Sequence, residues 1–205
     1  MRVAIVGGTG DFGLALAARL VEAGDEVVIG SRDSDRARVK GGEVGAAGAT
    51  NEEAVLAADL VVLATNADAT LATAAALADA IGETPLLSVA SELRFGPVGA
   101  LPGADRRSLA ERTKELLRAP VAAGLHSLAA GKLAHGRPAE DAFVCGDDPE
   151  AKAPALELAA KVVAGRALDA GPLASAGALE AMTAVIVNLN KRYKGHAGVQ
   201  ITGLP

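Results

Sequence analysis

The chain has 205 residues, half of them apolar, a length that suits one α/β domain or one domain with a small extension. Aromatic residues make up only 2% and the formal net charge is −5, a combination that argues against nucleic-acid binding through base stacking or phosphate contacts. One cysteine and three scattered histidines predict neither a disulfide nor a metal site, and the lack of an apolar run of about eighteen residues predicts a cytoplasmic protein with no membrane contact.

Apolar runs alternate along the chain with helical patterns. The predicted strands lie at 2–6, 26–30, 59–65, 85–89, 120–123, 142–145 and 166–168. The predicted helices lie at 11–23, 51–58, 68–81, 106–118, 149–163 and 176–192. The segment 41–50 is expected to join a short helix to a third strand, and 94–105, rich in Gly and Pro, is expected to be a loop that closes over a ligand.

A glycine-rich segment follows the first predicted strand. Gly8, Gly10 and Gly13 stand in the Gly-x-Gly-x-x-Gly spacing, immediately before a predicted helix. This spacing lets backbone amides approach a pyrophosphate at a helix N-terminus, so it predicts a dinucleotide site; the alternative is a tight turn with no ligand. Because Asp11 inside this loop would repel a pyrophosphate, we expect its side chain to turn away and cap the helix.

The end of the second predicted strand indicates which dinucleotide binds. An NAD-binding protein usually has Asp or Glu there, about twenty residues past the glycines, whereas this chain has Ser31 and Arg32. Both side chains can hold a ribose 2′-phosphate, and Arg36 adds a second cation on the same face of a following helix. The pattern favours NADP over NAD, with a solvated loop as the alternative.

The order of strands and helices predicts a Rossmann-type, doubly wound α/β fold with a mainly parallel sheet and a small helical C-terminal extension. We expect residues 1–140 to form an NADP-binding domain, and 141–205 a smaller α/β extension that completes the substrate cleft and a dimer interface. The segments 65–67, 88–91 and 124–130 follow predicted strands and suit a flat ring lying against backbone. No catalytic side chain is predicted, which agrees with hydride transfer, a reaction that depends on proximity and orientation.

Four motifs spread over nearly the whole chain carry a family resemblance. They are Gly7-Gly-Thr-Gly10 with Gly30-Ser-Arg32, Leu125-His126, Val144-Cys-Gly-Asp-Asp148 with Leu168-Asp-Ala-Gly-Pro-Leu173, and Asn190-Lys-Arg-Tyr-Lys-Gly-His-Ala-Gly198. The first is shared with many NADP proteins, and the last two are far more specific. With these motifs the chain resembles the NADPH-dependent coenzyme F420 reductases, also called F420:NADP oxidoreductases, which pass a hydride between a nicotinamide and a deazaflavin.

The resemblance implies NADP(H) and coenzyme F420 as the two redox partners, and it assigns residues to them. Those it assigns to the pyrophosphate are Thr9, Gly10, Asp11 and Phe12, and those it assigns to the 2′-phosphate are Ser31, Arg32 and Arg36. It places Thr65 and Ala69 along the ribose and nicotinamide, His126 beside the ring pocket, and Ser91, Ala130 and Ala197 where the backbone closes the site. Relatives carry Pro-Trp after the fourth strand, where this chain has Asn66; this substitution implies a wider acceptor pocket with a hydrogen bond from Asn66.

The densest basic run of the chain lies near its C-terminus and comprises Lys191, Arg192, Lys194 and His196. We expect it to contact the anionic end of the deazaflavin coenzyme; Arg94, Arg106 and Arg107 are rivals, and complementing a helix C-terminus is the alternative role. The helix over 176–188 is apolar on more than one face, which predicts a homodimer. Two other functions stay open, namely an NADPH-dependent reductase of another small molecule and a non-catalytic NADP sensor.

Overall fold

The computed structural model describes residues 1–204. Within them, the strands are β1 (Arg2–Val6), β2 (Glu26–Ser31), β3 (Ala47–Thr50), β4 (Leu60–Leu63), β5 (Leu86–Ser88), β6 (Leu93–Gly96), β7 (Gly99–Pro102), β8 (Val121–Gly124), β9 (Ala142–Gly146) and β10 (Ala167–Asp169). The helices are α1 (Asp11–Glu22), α2 (Ser34–Glu43), α3 (Asn51–Val55), α4 (Ala67–Ile81), α5 (Leu109–Lys114), α6 (Ala130–His135), α7 (Pro149–Val162) and α8 (Ala176–Tyr193). A short 3₁₀ turn, Leu173–Ser175, precedes α8.

Eight strands form one sheet in the order β10-β9-β8-β5-β4-β1-β2-β3. Neighbouring strands are parallel except β8 and β9, which run antiparallel. The predicted Rossmann-type, mainly parallel α/β fold is therefore confirmed. A parallel strand requires a crossover that carries the chain back across the sheet, and the segment between β8 and β9 holds only the short α6. β9 therefore starts at the edge where β8 ends, with Gly124 opposite Val144.

The central strands are buried on both faces, which explains why they are continuous apolar runs without alternation. On one face, Ile5 packs in a core that also holds Leu16 of α1 and Leu158 of α7. On the other face, Val6 packs in a core that holds Leu77 of α4. The two cores fix the sheet between layers of helices, so the carboxyl ends of β1, β2 and β4 open at one edge.

The helices predicted over 51–58 and 106–118 are shorter in the structure, where they are α3 and α5. Both begin at a capping box. Thr50 accepts a hydrogen bond from the Glu53 amide at the start of α3, and Ser108 accepts one from the Glu111 amide at the start of α5. These caps set the starting residues, because they satisfy amides that have no partner within the helix.

The predicted loop over 94–105 was wrong, since β6 and β7 pair there as an antiparallel hairpin with Phe95 opposite Ala100. Gly99 takes a φ of 111°, which favours glycine at the turn. The Asn188 side chain of α8 then holds the outer edge of β7. It accepts from the Ala100 amide and donates to the Ala100 carbonyl, both at 2.8 Å. The Gly and Pro content of the segment predicts a loop, because the sequence nearby does not show that Asn188, 88 positions away, stabilises β7.

The segment Leu173–Tyr193 is long and apolar enough, by length and composition, to cross a membrane. This is weak evidence for a membrane span, because the core helices of soluble proteins meet the same criterion. In this protein, Thr183 and Asn188 of α8 make hydrogen bonds to other elements of the fold. We therefore describe α8 as a helix packed on the sheet and on the hairpin.

Candidate functional site

A cleft opens at the carboxyl ends of β1, β2 and β4. Its inner part is a cavity of about 280 Å³ between the glycine loop, the end of β2 and the segment after β4. An adjoining cavity of about 530 Å³ continues between α3 and α4. The residues that line both cavities, and so join them, are Ser31, Arg32, Asn51, Ala69 and Thr73.

The three glycines of the loop have different roles. A Cβ on Gly13 would lie 2.7 Å from Gly8 Cα, so these two glycines allow α1 to pack closely on the loop. The Gly8 amide is already bonded to the carbonyl of Gly30 at 3.2 Å. A Cβ on Gly10 would meet only the Gly7 carbonyl oxygen, at 3.6 Å, and Gly10 lines the inner cavity. The Gly10 position is therefore the one that leaves space for a ligand.

The N-terminus of α1 faces this space without a side-chain cap. The expectation that Asp11 caps the helix was wrong: Gly10 is the N-cap residue, and Asp11 is the first helical residue. Its side chain lies on the far side of α1, where it lines a separate cavity of about 370 Å³ together with Ala130. Phe12 packs against the core that contains Leu16, so its ring is not in the cavity. Uncapped amides at a helix start favour an anion.

Ser31, Arg32 and Arg36 line the wall of the inner cavity, as the sequence predicts. The Ser31 hydroxyl accepts a hydrogen bond from the Asp33 amide at 3.2 Å, and Asp33 in turn caps α2 by accepting from the Arg36 amide at 3.0 Å. Both arginine side chains are exposed and form no ion pair with residues 1–204. The turn therefore presents two unneutralised cations and a hydroxyl to the cavity.

Thr65, Asn66 and Ala69 follow β4 and form the opposite wall. The Thr65 hydroxyl lies 3.1 Å from that of Thr70, which donates to the Asn66 carbonyl at 3.0 Å. Thr70 therefore orients the Thr65 hydroxyl. Asn66 is the N-cap residue of α4, but its side chain makes no capping bond and is exposed. The Asn66 amide is consequently available to a ligand.

Ser91 and His126 follow β5 and β8 and are tied together by α8. Thr183 donates its hydroxyl proton to the His126 carbonyl at 2.9 Å. Because that proton is used, the 2.8 Å contact between Ser91 and Thr183 must have Ser91 as the donor. The side chain of Thr183, which the sequence did not single out, thus holds two strand ends in one arrangement.

His126 is buried, with 7% of its surface exposed, and neither ring nitrogen makes a hydrogen bond of good geometry to residues 1–204. Burial lowers the pKa of His126 to about 4, and the nearby Ala90 backbone opposes this shift only in part. The imidazole is therefore neutral at pH 7 and offers one donor and one acceptor.

The remaining predicted residues lie outside the inner cavity. The Ala197 amide donates to the side chain of Asn190, so it is already engaged within the C-terminal segment. Lys191, Arg192 and Lys194 are exposed at the end of α8 and form no ion pair in the described chain. Arg107, one of their rivals, is instead bound to Glu115 at 2.6 Å. The sequence missed Asn51 and Thr73 as cavity residues, because no motif marks them.

The inner cavity fits a phosphate-bearing dinucleotide in three independent respects. It is open at Gly10, it receives the uncapped start of α1, and it carries Arg32 and Arg36, which have no acidic partner among residues 1–204. An acid at the end of β2, which would select NAD, is replaced by Ser31.

Comparisons with known proteins agree with this geometry. A family model described as NADP oxidoreductase, coenzyme F420-dependent, matches residues 2–92. The chain is 34% identical to an F420-dependent NADP reductase of Methanothermobacter thermautotrophicus, over 100% of this chain and 96% of that protein. It is 31% identical to one of Methanocaldococcus jannaschii, over 100% of this chain and 99% of that protein.

Solved structures give the same result for the fold. A crystal structure of an Arthrobacter sp. FB24 protein, provisionally assigned as an F420-dependent NADP reductase, has a TM-score of 0.86 and 25% identity over 99% of this chain and 100% of that one. An imine reductase of Streptomyces aurantiacus has a TM-score of 0.65 and 23% identity over 92% of this chain and 61% of that one. The second likeness concerns the fold alone.

Proposed function

The chain belongs to the coenzyme F420-dependent NADP oxidoreductases, and from that premise we propose where it holds the two substrates of a hydride transfer between NADP(H) and the deazaflavin coenzyme F420. Identity of 34% over the whole chain carries the family assignment. The observation that carries the proposed site is that one cavity combines an open Gly10, an uncapped α1 and two arginines that have no acidic partner in the described residues.

The phosphates of NADP(H) are proposed to bind at two places in the cleft. Backbone amides of Thr9, Asp11 and Phe12 approach the pyrophosphate at the start of α1, Gly10 leaves the space for it, and Gly8 and Gly13 shape the loop. The 2′-phosphate lies between Ser31, Arg32 and Arg36, where two guanidinium groups give charge-assisted hydrogen bonds. These interactions orient the nicotinamide toward the segment after β4.

The two rings are proposed to stack at the carboxyl ends of β4, β5 and β8. Thr65, Asn66 and Ala69 lie along the ribose and nicotinamide, the backbone at Ser91 closes the site, and neutral His126 borders the deazaflavin. Ala130, which lines the separate cavity beyond α1, and Ala197, whose amide is bonded to Asn190, are not assigned to the site. The bound pair supplies the chemistry, in which NADPH, F420 and a proton give NADP⁺ and reduced F420. The protein positions the rings and excludes water, and we assign no catalytic acid or base.

The basic tail, defined as Lys191, Arg192 and Lys194, is proposed to contact the anionic end of F420. These cations are free of acidic partners in the described chain, whereas Arg107 is neutralised by Glu115 and Asp105. Replacing all three with Gln is expected to raise the KM for F420, most strongly at low salt, and barely change that for NADPH. Arg94 and Arg106 replaced together serve as the comparison, and a larger effect from them would move the contact to the hairpin.

A homodimer is proposed to form through the apolar stripe of α8. Val185, Leu189 and Tyr193 recur every four residues on this helix and are 57%, 41% and 72% exposed. Phe95 of the adjoining hairpin is 74% exposed, and contiguous apolar surface of this kind marks association sites. Residues 141–205 would then form both the far side of the substrate cleft and the interface.

The activity is tested by following NADPH oxidation with and without F420, and then with a panel of other acceptors. Oxidation that requires F420 is expected. Asn66, where the family resemblance implies Pro-Trp, favours one second candidate, a reductase of another small molecule. That function would be indicated if another acceptor alone supports oxidation. Binding of NADPH with no turnover on any acceptor would indicate a sensor.

A further inference from the structure

Asn51, the first residue of α3, stands where the two cavities of the cleft meet, and no motif of the sequence marks it. It lines both cavities together with Ser31 and Arg32. Its side chain crosses the end of β2: a Cβ on Gly30 would lie 2.8 Å from Asn51 Oδ1. A residue with a side chain at position 30 would therefore collide with Asn51.

The amide of Asn51 is incompletely bonded. Its Oδ1 is buried and has no hydrogen-bond partner within residues 1–204. Oδ1 is the end that packs against Gly30, so the NH₂ end of the amide is left to face the cavity beside Ser31.

We propose that Asn51 is a specificity-determining residue that recognises the 2′-phosphorylated ribose of the dinucleotide, an inference that rests on the proposed NADP site. The amide NH₂ donates to a phosphate oxygen beside Arg32, while the carbonyl oxygen stays packed against Gly30. Asparagine suits this position because it is neutral. A carboxylate of the same shape would repel the phosphate and would accept instead from the 2′-hydroxyl of NADH.

The test uses Asn51→Asp, which keeps the side-chain shape and thus the packing on Gly30. Titrations of the purified protein with NADPH and with NADH, in the absence of F420, give the two dissociation constants. We expect the NADPH Kd to rise at least tenfold and the NADH Kd to stay unchanged or fall. Asn51→Ala, which adds no charge, is expected to weaken NADPH binding by about threefold to tenfold and NADH binding by less.

Thr202→Asp is the matched control, because it adds one negative charge at an exposed position that lines neither cavity of the cleft. It should leave both constants unchanged. Thermal melting of each variant separates binding effects from misfolding, and if Asn51→Asp does not fold, Asn51→Ala decides alone. Equal weakening of NADPH and NADH binding in the folded variants, or unchanged NADPH binding in both variants, would overturn the proposal. Because F420 is absent from these titrations, a wild-type protein that fails to reduce F420 would contradict the proposed function without changing this result.

Discussion

The arginines near the end of β2 differ in whether an acidic side chain neutralises them. Arg38 of α2 pairs with Asp35 at 2.6 Å, whereas Arg32 and Arg36 have no such partner in residues 1–204. Unpaired cations beside a cavity are available to an anionic ligand, and the guanidinium fork suits a phosphate. We therefore expect the choice between NADP and NAD to depend on a few individual side chains.

Arg32→Ala tests this assignment. We expect NADPH binding to weaken by about 1.5–3 kcal/mol, the range for a hydrogen bond to a charged group, and NADH binding to change little. Fluorescence titration of the reduced nicotinamide measures both constants. Arg38→Ala is the control, because an exposed ion pair contributes little to stability and this one faces no cavity. Equal weakening of NADPH and NADH by Arg32→Ala would refute the 2′-phosphate contact.

Two glycines of the loop separate ligand binding from folding. Gly10→Val is expected to abolish NADPH binding and leave the melting temperature nearly unchanged, because a side chain there meets only open cavity. Gly13→Ala is expected to lower the melting temperature, because its Cβ would lie 2.7 Å from Gly8 Cα. A folded Gly10→Val protein that still binds NADPH would remove the phosphate-loop assignment.

At the scale of elements, Asp141 joins β9, β10 and the C-terminal segment. Its buried carboxylate accepts from the Arg166 side chain at 2.8 Å, the Arg166 amide at 3.0 Å and the Ile201 amide at 2.8 Å. These bonds, the Arg166 side chain first, hold the pKa of Asp141 well below its usual value of 3.8. The C-terminal segment is thereby fixed across the edge of the sheet.

Asp141→Ala is expected to lower the free energy of unfolding by about 1–3 kcal/mol at pH 7, because it leaves the Arg166 and Ile201 amides without their acceptor, whereas the Arg166 side chain can turn to solvent. A lowered folded-state pKa stabilises the protein above the unfolded-state pKa and is lost as pH falls through the folded value. The difference from wild type should therefore be full above about pH 5 and shrink below about pH 4. Denaturant unfolding across this range provides the measurement.

The matched comparison for Asp141 is Asp169→Ala. Asp169 pairs with Lys152 at 3.1 Å but is half-exposed, so its loss should cost about 1 kcal/mol or less. Similar decreases in the free energy of unfolding for the two variants would show that the burial of Asp141 does not account for its contribution to stability.

At the scale of the whole molecule, the sequence predicted the sheet better than its connections. Apolar runs located the central strands because each is buried on both faces, as at Ile5 and Val6. The hairpin was missed because Asn188 stabilises β7 from a distant helix. Glycine spacing and Arg32 indicated the inner cavity, but Asn51 and Thr183 carry no local signal, since only the packed fold brings them to the cleft.

Assembly is tested by placing charge on the exposed stripe of α8. Val185→Asp combined with Leu189→Asp is expected to convert a dimer to a monomer in light scattering, because an interface core tolerates charge poorly. Val39→Asp, at an exposed apolar position of α2, should leave the dimer intact. A wild-type protein that is monomeric, or a double variant that stays dimeric, would exclude this interface.

The central claim is that one cleft brings NADPH and F420 ring to ring for direct hydride transfer. It is tested most directly with NADPH carrying deuterium at the transferred position, incubated with F420 and the protein in ordinary water. Deuterium bound to carbon in the reduced deazaflavin is the expected result, because a hydride passed directly between carbons does not exchange with solvent. Reduced F420 that contains only solvent hydrogen, or no reduced F420 at all, would contradict the account.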